Sequence, residues 1–340
     1  MMNRDNHYII AEIGQAHDGS LGTAHRLIDL AAEAGAHAVK FQMHFADIES
    51  GPEEQWRVNF SYQDSTRYDY WKRMEFTYAQ WEGLVRHCGE KKVDFMCSPF
   101  SVHAAETLAK LGTKHFKIAS GEVNNYLMLD YINKVAEKIY LSTGMSDLDE
   151  VQKTIDRFDR PTERLCLLQC TTAYPVPLED VGINIISEYS SRFKVNAVGL
   201  SDHSGKLSPV LMSYFKGARV FELHICLSKE QFGPDTPASL NPSEFAQISS
   251  LLNDFSVMEN NKVTKSKIPH EDNRTRFGKS LVAKTDLPMG TKLSSDCLET
   301  KKPAGYGISP TQYEDLDNFT SAVNIKQGEF ITWEKLTPCE

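Results

Sequence analysis

The stretch from Phe221 to Asp235, FELHICLSKEQFGPD, holds the contradiction on which the fold turns. Together with Ala218, Arg219 and Val220 it opens as a buried strand, ARVFELHI, mostly small or apolar. Yet Glu222 and His224 alternate inside it, and ionisable groups in a core strand are costly unless something pairs with them. What those two side chains face is the question the rest of the sequence must answer.

The same pattern recurs upstream. Short apolar runs ending in polar residues are HYIIAE (to Glu12), HAVKFQ (to Gln42), VDFMCSPF, KHFKIASGE, KIYLSTGM, RLCLLQCTTAYP and NAVGLSDHS, with ARVFELHI as the eighth. Helical patterns lie between most of them. In LGTAHRLIDLAAEAGA, for example, Leu27, Leu30, Ala31 and Ala34 fall at i, i+3, i+4 and i+7. Eight strands interleaved with helices predict a (β/α)8 barrel over residues 1–258. An open doubly wound sheet is the competitor, but no GxGxxG turn follows the first strand. Met43 to Tyr78, polar and aromatic, is expected to be an elaborated loop. Residues 259–276 are polar and without apolar periodicity, which predicts a linker. Residues 277–340 carry strand-like pieces separated by Gly and Pro turns, which predicts a small β-rich domain.

Composition narrows the partners. The formal charge of −9 over 340 residues argues against a nucleic-acid or membrane-surface protein. No apolar run resembles a signal peptide, and none approaches the roughly 18 residues a membrane-spanning helix needs. The 7 cysteines are odd in number and form no CxxC pair, so reduced thiols and a cytoplasmic location are expected.

The polar residues at the strand ends carry the chemistry. They are Glu12, then Lys40 and Gln42, Ser98, Lys117 with Ser120 and Glu122, Ser142 and Thr143, Thr171, Thr172 and Tyr174, Ser201, Asp202 and His203, and finally Glu222 and His224. In a barrel all these ends converge on one face, where the βα loops build active sites. Either lysine alone reads as a solvated strand end. Two lysines aimed at one mouth repel each other unless an anion lies between them. With serine and threonine hydroxyls alongside, the pattern predicts a phosphate or carboxylate pocket. His203 and His224 end adjacent strands and predict a divalent metal with coordination positions left open for water and substrate. Gln15, His17 and Asp18 follow the first strand and suit either a sugar or a simple turn at Asp18-Gly19.

At these residues the chain resembles the sialic acid synthase family, the phosphoenolpyruvate-dependent nonulosonic acid synthases. The matching pieces are AEIGQAHDGSLGTA, VKFQ, SPF, KIASGE, LSTGM, QCTTAYPVPLEDV, GLSDHS and GPDTPASLNPSEF, then SLVAKTDLPMGTKLS through KKPAGYGISP. The resemblance implies a (β/α)8 barrel followed by an antifreeze-like (SAF) domain. It also implies a homodimer in which that domain reaches over the partner's site. The implied reaction condenses phosphoenolpyruvate with the aldehyde of an N-acylated hexosamine, assisted by manganese or magnesium, and releases phosphate. Lys40, Lys117, Ser120, Ser142, Thr172 and Ser201 would bind phosphoenolpyruvate, and His203 and His224 the metal. Glu12 or Glu222 would shuttle a proton. Gln42, Tyr174, Asp235 and Lys302 would face the acceptor.

The departures concern the acceptor more than the anion or the metal. Leu223 and Ile225 flank His224, Gln169 precedes Cys170, Thr172 stands where Asn is usual, and Lys302 stands where Arg is usual. Lysine lacks the planar fork of arginine. A 2,4-diacetamido-trideoxyhexose leading to legionaminic or pseudaminic acid therefore stands beside N-acetylmannosamine as the expected acceptor. Two other readings compete: a Schiff-base aldolase acting through Lys117, and a non-catalytic sugar-binding paralogue.

Overall fold

The structure is a computed structural model that describes residues 7–51, 53–265 and 272–339. Eight parallel strands close a barrel in sequence order: β1 (Tyr8–Glu12), β2 (Ala38–Met43), β3 (Asp94–Pro99), β4 (His115–Ile118), β5 (Lys138–Ser142), β6 (Leu165–Cys170), β7 (Ala197–Asp202) and β8 (Val220–His224). The expected barrel is present, and β8 closes it by pairing with β1.

Strand periodicity explains the opening contradiction. Successive side chains of a strand point to opposite faces. Val220 packs inside the barrel with Ile10, Ala38, Met96, Tyr140, Cys166 and Leu168. Phe221 and Leu223 point outward into the core shared with the surrounding helices. Glu222 and His224 therefore share the inward face with Val220, one and two steps nearer the carboxyl end. The same alternation sends Glu12, Lys40, Ser142 and Ser201 inward above their apolar strand-mates. The barrel's interior is apolar at one end and ionisable at the other. At Gly199 on β7 a Cβ would lie 2.0 Å from the Val220 carbonyl oxygen, so the close approach of β7 to β8 requires glycine there.

Helices cover the outside as the apolar patterns predict. In Leu21–Glu33, Ser20 caps the first turn and Ala24, Leu27, Ile28 and Ala31 are buried, while Leu30 is only half-buried. Each buried leucine or isoleucine contributes about 1.5–3 kcal/mol.

The segment between β2 and the helix Tyr78–Glu90 is more ordered than its composition suggests. It holds a short helix, Ala46–Glu49, and a longer one, Arg67–Met74. The second starts at a capping box between Thr66 and Asp69 and buries Tyr70, Trp71 and Met74. The aromatic residues that make the segment look loop-like are the ones the helix packs inward.

The chain divides into two compact units between Asn261 and Lys262. The helix Pro242–Asn260 runs into the start of the expected linker, and Asp272–Phe277 form a further helical turn. Residues 266–271 of that linker lie outside the described residues. The second unit pairs β9 (Ser280–Ala283) with β10 (Leu298–Lys301), and β11 (Phe319–Ser321) with β12 (Leu336–Pro338), both antiparallel. Its own core includes Leu281, Leu287, Leu293, Ile308, Ile325 and Ile331. All the cysteines are free. Among the described residues no helix is long and apolar enough to cross a membrane.

Candidate active site

A cavity of about 400 Å³ opens at the carboxyl end of the barrel. All the barrel residues expected at the site line it: Glu12, Lys40, Gln42, Lys117, Ser120, Ser142, Thr172, Tyr174, Ser201, His203, Glu222, His224 and Asp235. Lys302 belongs to the second unit, where its ammonium lies 5.2 Å from the centre of the Phe277 ring.

Register sets the floor. Glu12 pairs with Lys40 on one side and His224 on the other, and Ser201 pairs with Glu222. Lys40 Nζ lies 2.7 Å from Glu12 Oε2 and 4.0 Å from Glu222 Oε2, and Lys117 Nζ lies 3.4 Å from Glu222 Oε1. The anion required between the two lysines is thus supplied in part by the protein itself. Ser201 Oγ donates to Glu222 at 2.8 Å, Lys40 donates to Ser98 at 3.2 Å, and Gln42 Nε2 donates to Glu12 at 2.7 Å. Glu222 is held by Ser201 and Lys117; the carboxylate nearest the His224 ring nitrogen is Asp235, at 3.9 Å.

These contacts split the two carboxyls. Burial pushes Glu12 up, and the Glu222 charge adds to that push against the opposing pull of Lys40. Burial would raise Glu222 too, but Lys117 and Lys40 outweigh it and hold the group below the usual carboxylate range. Glu12 is therefore the more readily protonated of the pair. Burial lowers Lys117, whereas Glu12 and Glu222 overcome the same burial at Lys40 and raise it.

Beside the lysines lies a hydroxyl-rich hollow. Ser142 lines the cavity, and its Oγ is buried without a hydrogen-bond partner. Ser120 Oγ accepts from the Gly144 amide at 2.9 Å. A Cβ at Gly144 would sit 2.5 Å from Thr172 Oγ1 and 3.0 Å from Ser120 Oγ, so glycine there is what leaves the hollow open.

The two histidines meet opposite. Their ring centres are 5.2 Å apart at 71°. His203 Nδ1 sits 2.9 Å from the Thr171 carbonyl, which makes Nδ1 the protonated nitrogen of the neutral ring and frees Nε2. Burial lowers His203, but Cys170, whose sulfur is 4.0 Å away, and the Thr171 carbonyl outweigh it and raise the group to about 9. Burial drops His224 to about 3, which keeps it neutral with a lone pair to offer. Two imidazoles of this kind fit a divalent cation, which would displace the His203 proton on binding. Among the described residues no three His, Cys, Asp or Glu side chains are arranged to hold a metal.

Above the histidines, Tyr174 stacks on His203 at 4.0 Å, and the Arg57 guanidinium covers Tyr174 at 4.1 Å from the ring centre. Arg57 Nη2 also meets Asp235 Oδ1 at 2.7 Å. Arg57, Glu54, Trp56, Phe60, Arg67 and Trp71 all line the cavity, and nothing in the sequence marks them. Their only signal is the density of aromatic residues between Met43 and Tyr78. Of the loop after β1, Gln15 lines the cavity, whereas His17 is buried against Phe76 and Asp18 holds Arg73. Asp202 turns away to accept from the Ser204 amide and hydroxyl.

A model of the NeuB family matches residues 27–264, and one of the SAF domain matches residues 278–337. The N,N'-diacetyllegionaminic acid synthase of Campylobacter jejuni is 32% identical over 95% of this chain and 98% of its own. The N-acetylneuraminate-9-phosphate synthase of Homo sapiens is 34% identical over 96% and 92% respectively. Among solved structures, the N-acetylneuraminic acid (sialic acid) synthetase of Leptospira borgpetersenii, in complex with citrate, superposes with a TM-score of 0.70 at 26% identity, covering 80% of this chain and 91% of that one. The chain belongs to the NeuB family and carries a SAF domain after its barrel in the sequence.

Proposed function

We propose that the protein condenses phosphoenolpyruvate with the open-chain aldehyde of an N-acylated amino-hexose, giving a nonulosonic acid and inorganic phosphate. In this reaction C3 of phosphoenolpyruvate bonds to the aldehyde carbon, and the aldehyde oxygen takes up a proton. Water adds at C2, and the C2–O bond to phosphate breaks. The observation that carries the reading is one cavity with two lysines and an orphan serine hydroxyl at one side and two bared imidazoles at the other.

Lys40 and Lys117 hold the carboxylate and phosphate, with Ser120, Ser142 and Thr172 donating around them and Ser201, whose proton goes to Glu222, lining the same pocket. Glu222 fixes both ammonium groups and carries a full charge throughout. Glu12, the carboxyl pushed upward, is the one of the pair placed to pass a proton to the new alkoxide. Gln42, Tyr174 and Asp235 position the sugar. His203 and His224 would hold a divalent ion such as manganese or magnesium, which when bound supplies Lewis-acid stabilisation at the aldehyde oxygen. Dimerisation, with the SAF domain and Lys302 reaching a partner's site, belongs to the same proposal.

The test is phosphate release from phosphoenolpyruvate with manganese across N-acetylmannosamine and the 2,4-diacetamido-trideoxyhexoses, with a chelator control. Acceptor-dependent, chelator-sensitive release is the expected result; release that ignores both would refute it. A Schiff-base aldolase has one observation in its favour, the burial that lowers Lys117. Borohydride trapping with a keto acid would reveal it, and the histidine pair would then have no task.

A further inference from the structure

The outer wall of the cavity carries information about the charge of the acceptor, on the condensation reaction proposed above. Phosphoenolpyruvate contributes three carbons, so carbon 9 of the product is carbon 6 of the acceptor. A synthase that makes a 9-phosphate, as its human relative is named to do, must therefore seat a phosphomonoester at the end of the sugar far from the aldehyde. A dianion there needs cations or amides not already committed.

Side-chain exposure rises from 4% at Lys40 on the floor to 28% at Arg67 and 38% at Arg57. Among the described residues lining the cavity, these two arginines are the fixed cations above the floor. Both are engaged. Arg57 is bound by Asp235 at 2.7 Å and lies flat on Tyr174. Arg67 Nε is 3.0 Å from Glu54 Oε1, and its Nη1 donates to the Gln55 carbonyl at 3.0 Å. Two further acids have no arginine or lysine against them: Glu49 takes His44, and Glu122 takes the Asn125 amide at 2.7 Å. Burial pushes Glu122 up against the opposing Asn125 hydrogen bond, and the nearby Glu49 charge adds a smaller push. The wall also has an apolar stretch, with Trp56, Val58 and Phe60 lining the cavity.

We infer that the acceptor is an amino sugar whose C6 end is uncharged, and that the wall discriminates against its 6-phosphate. Each arginine is balanced by a carboxylate, two more acids repel a phosphate, and the apolar face suits a hydroxymethyl or methyl group. This is selection by repulsion as much as by attraction.

The experiment is calorimetric titration of the phosphoenolpyruvate-saturated protein, in chelator, with N-acetylmannosamine, a 2,4-diacetamido-2,4,6-trideoxyhexose and N-acetylmannosamine 6-phosphate. Phosphate release with manganese is followed in parallel. At least one neutral sugar is expected to bind, with the 6-phosphate weaker by about tenfold or more. Glu54→Gln, which releases Arg67, is expected to narrow that ratio several-fold. A 6-phosphate that binds as tightly as its neutral parent, no binding by any of the three sugars, or an unchanged ratio in the folded variant would each overturn the inference. Binding of a neutral sugar without phosphate release under any condition would remove the proposed reaction and leave the charge selectivity standing.

Discussion

At the floor of the cavity the side chains come from the ends of separate strands; at its wall they come from one excursion of chain between β2 and the helix at Tyr78. Glu12, Lys40, Lys117 and Glu222 are contributed by β1, β2, β4 and β8, and each is at most 4% exposed. They are tied across the barrel, so none can move without the others. Arg57, Glu54, Arg67 and Trp71 come from neighbouring stretches of the excursion; Arg67 and Trp71 both meet Glu54 within it, as Arg73 meets Asp64, and Arg57 alone of the four is tied to Asp235 and Tyr174. A network spread over the barrel resists change and suits chemistry that stays constant. A locally wired wall can be rebuilt without disturbing the barrel, which suits a choice among acceptors.

That difference predicts the largest effect at the floor. Lys117→Met removes one of the two cations holding Glu222 and leaves a buried carboxylate short of a partner. Such a loss costs about 3–5 kcal/mol, and activity is expected to fall by about a thousandfold or more. Thermal unfolding and phosphate release measure the two separately. The double variant Lys117→Met/Glu222→Gln is expected to recover much of the stability and none of the activity. Recovery of neither would mean that the two side chains are not coupled as their 3.4 Å separation implies.

Next in size is Gly144→Val. The added side chain enters the hollow between Thr172 and Ser120, where even a Cβ would lie 2.5 Å and 3.0 Å from the two hydroxyl oxygens. A loss of about a hundredfold in kcat/KM for phosphoenolpyruvate is expected, on the scale of displacing one set of aligned donors. Metal binding at the histidines, measured by manganese titration, should change little. Unaltered phosphoenolpyruvate kinetics would move the anion away from the hollow.

Floor and wall were also unequally legible. Eight apolar runs with polar ends already define a barrel, and alternation sends Lys40, Glu222 and His224 to one face without any structure. Pairing within that face was not legible. Glu222 stands two residues from His224, but an inward-facing residue meets its neighbours across the barrel, and Ser201 and Lys117 reach it first. The wall gave less. A capping box at Thr66 and Asp69 was present in the sequence, but the aromatic residues after it masked the helical pattern. Arg57 reaches Asp235 across 178 positions, a contact that no local pattern encodes.

The wall's own effect should be moderate. Arg57→Ala removes the guanidinium from Tyr174 and from Asp235. Acceptor KM is expected to rise about tenfold, the scale of a partly exposed cation–π contact plus one ion pair. The KM for phosphoenolpyruvate should stay within about twofold, since the lysines are untouched. If phosphoenolpyruvate suffered equally, the separation of floor from wall would fail.

The smallest effect is expected where the two regions join. His17 is buried between the loop after β1 and the end of the excursion, its ring 4.7 Å from that of Phe76 and its Nδ1 accepting from the Gly19 amide at 3.1 Å. Burial, and then the charges of His44 and Arg73, lower it from 6.5 to about 3. A protonated ring could not accept from Gly19, which agrees with that direction. Between pH 6.5 and about 3 the unfolded chain binds a proton that the folded chain refuses, so stability falls as the pH drops through this window. Above 6.5 the residue has no effect on the slope. Its share is about 1.4 kcal/mol per pH unit at most. Urea unfolding at pH 7 and pH 5 measures it, and His17→Gln, which cannot titrate, should flatten the difference by about that slope. Other buried histidines keep part of the pH dependence in both proteins, so the comparison is between slopes. Equal slopes would place the acid sensitivity elsewhere and leave His17 a packing residue that fastens the wall to the floor at any pH.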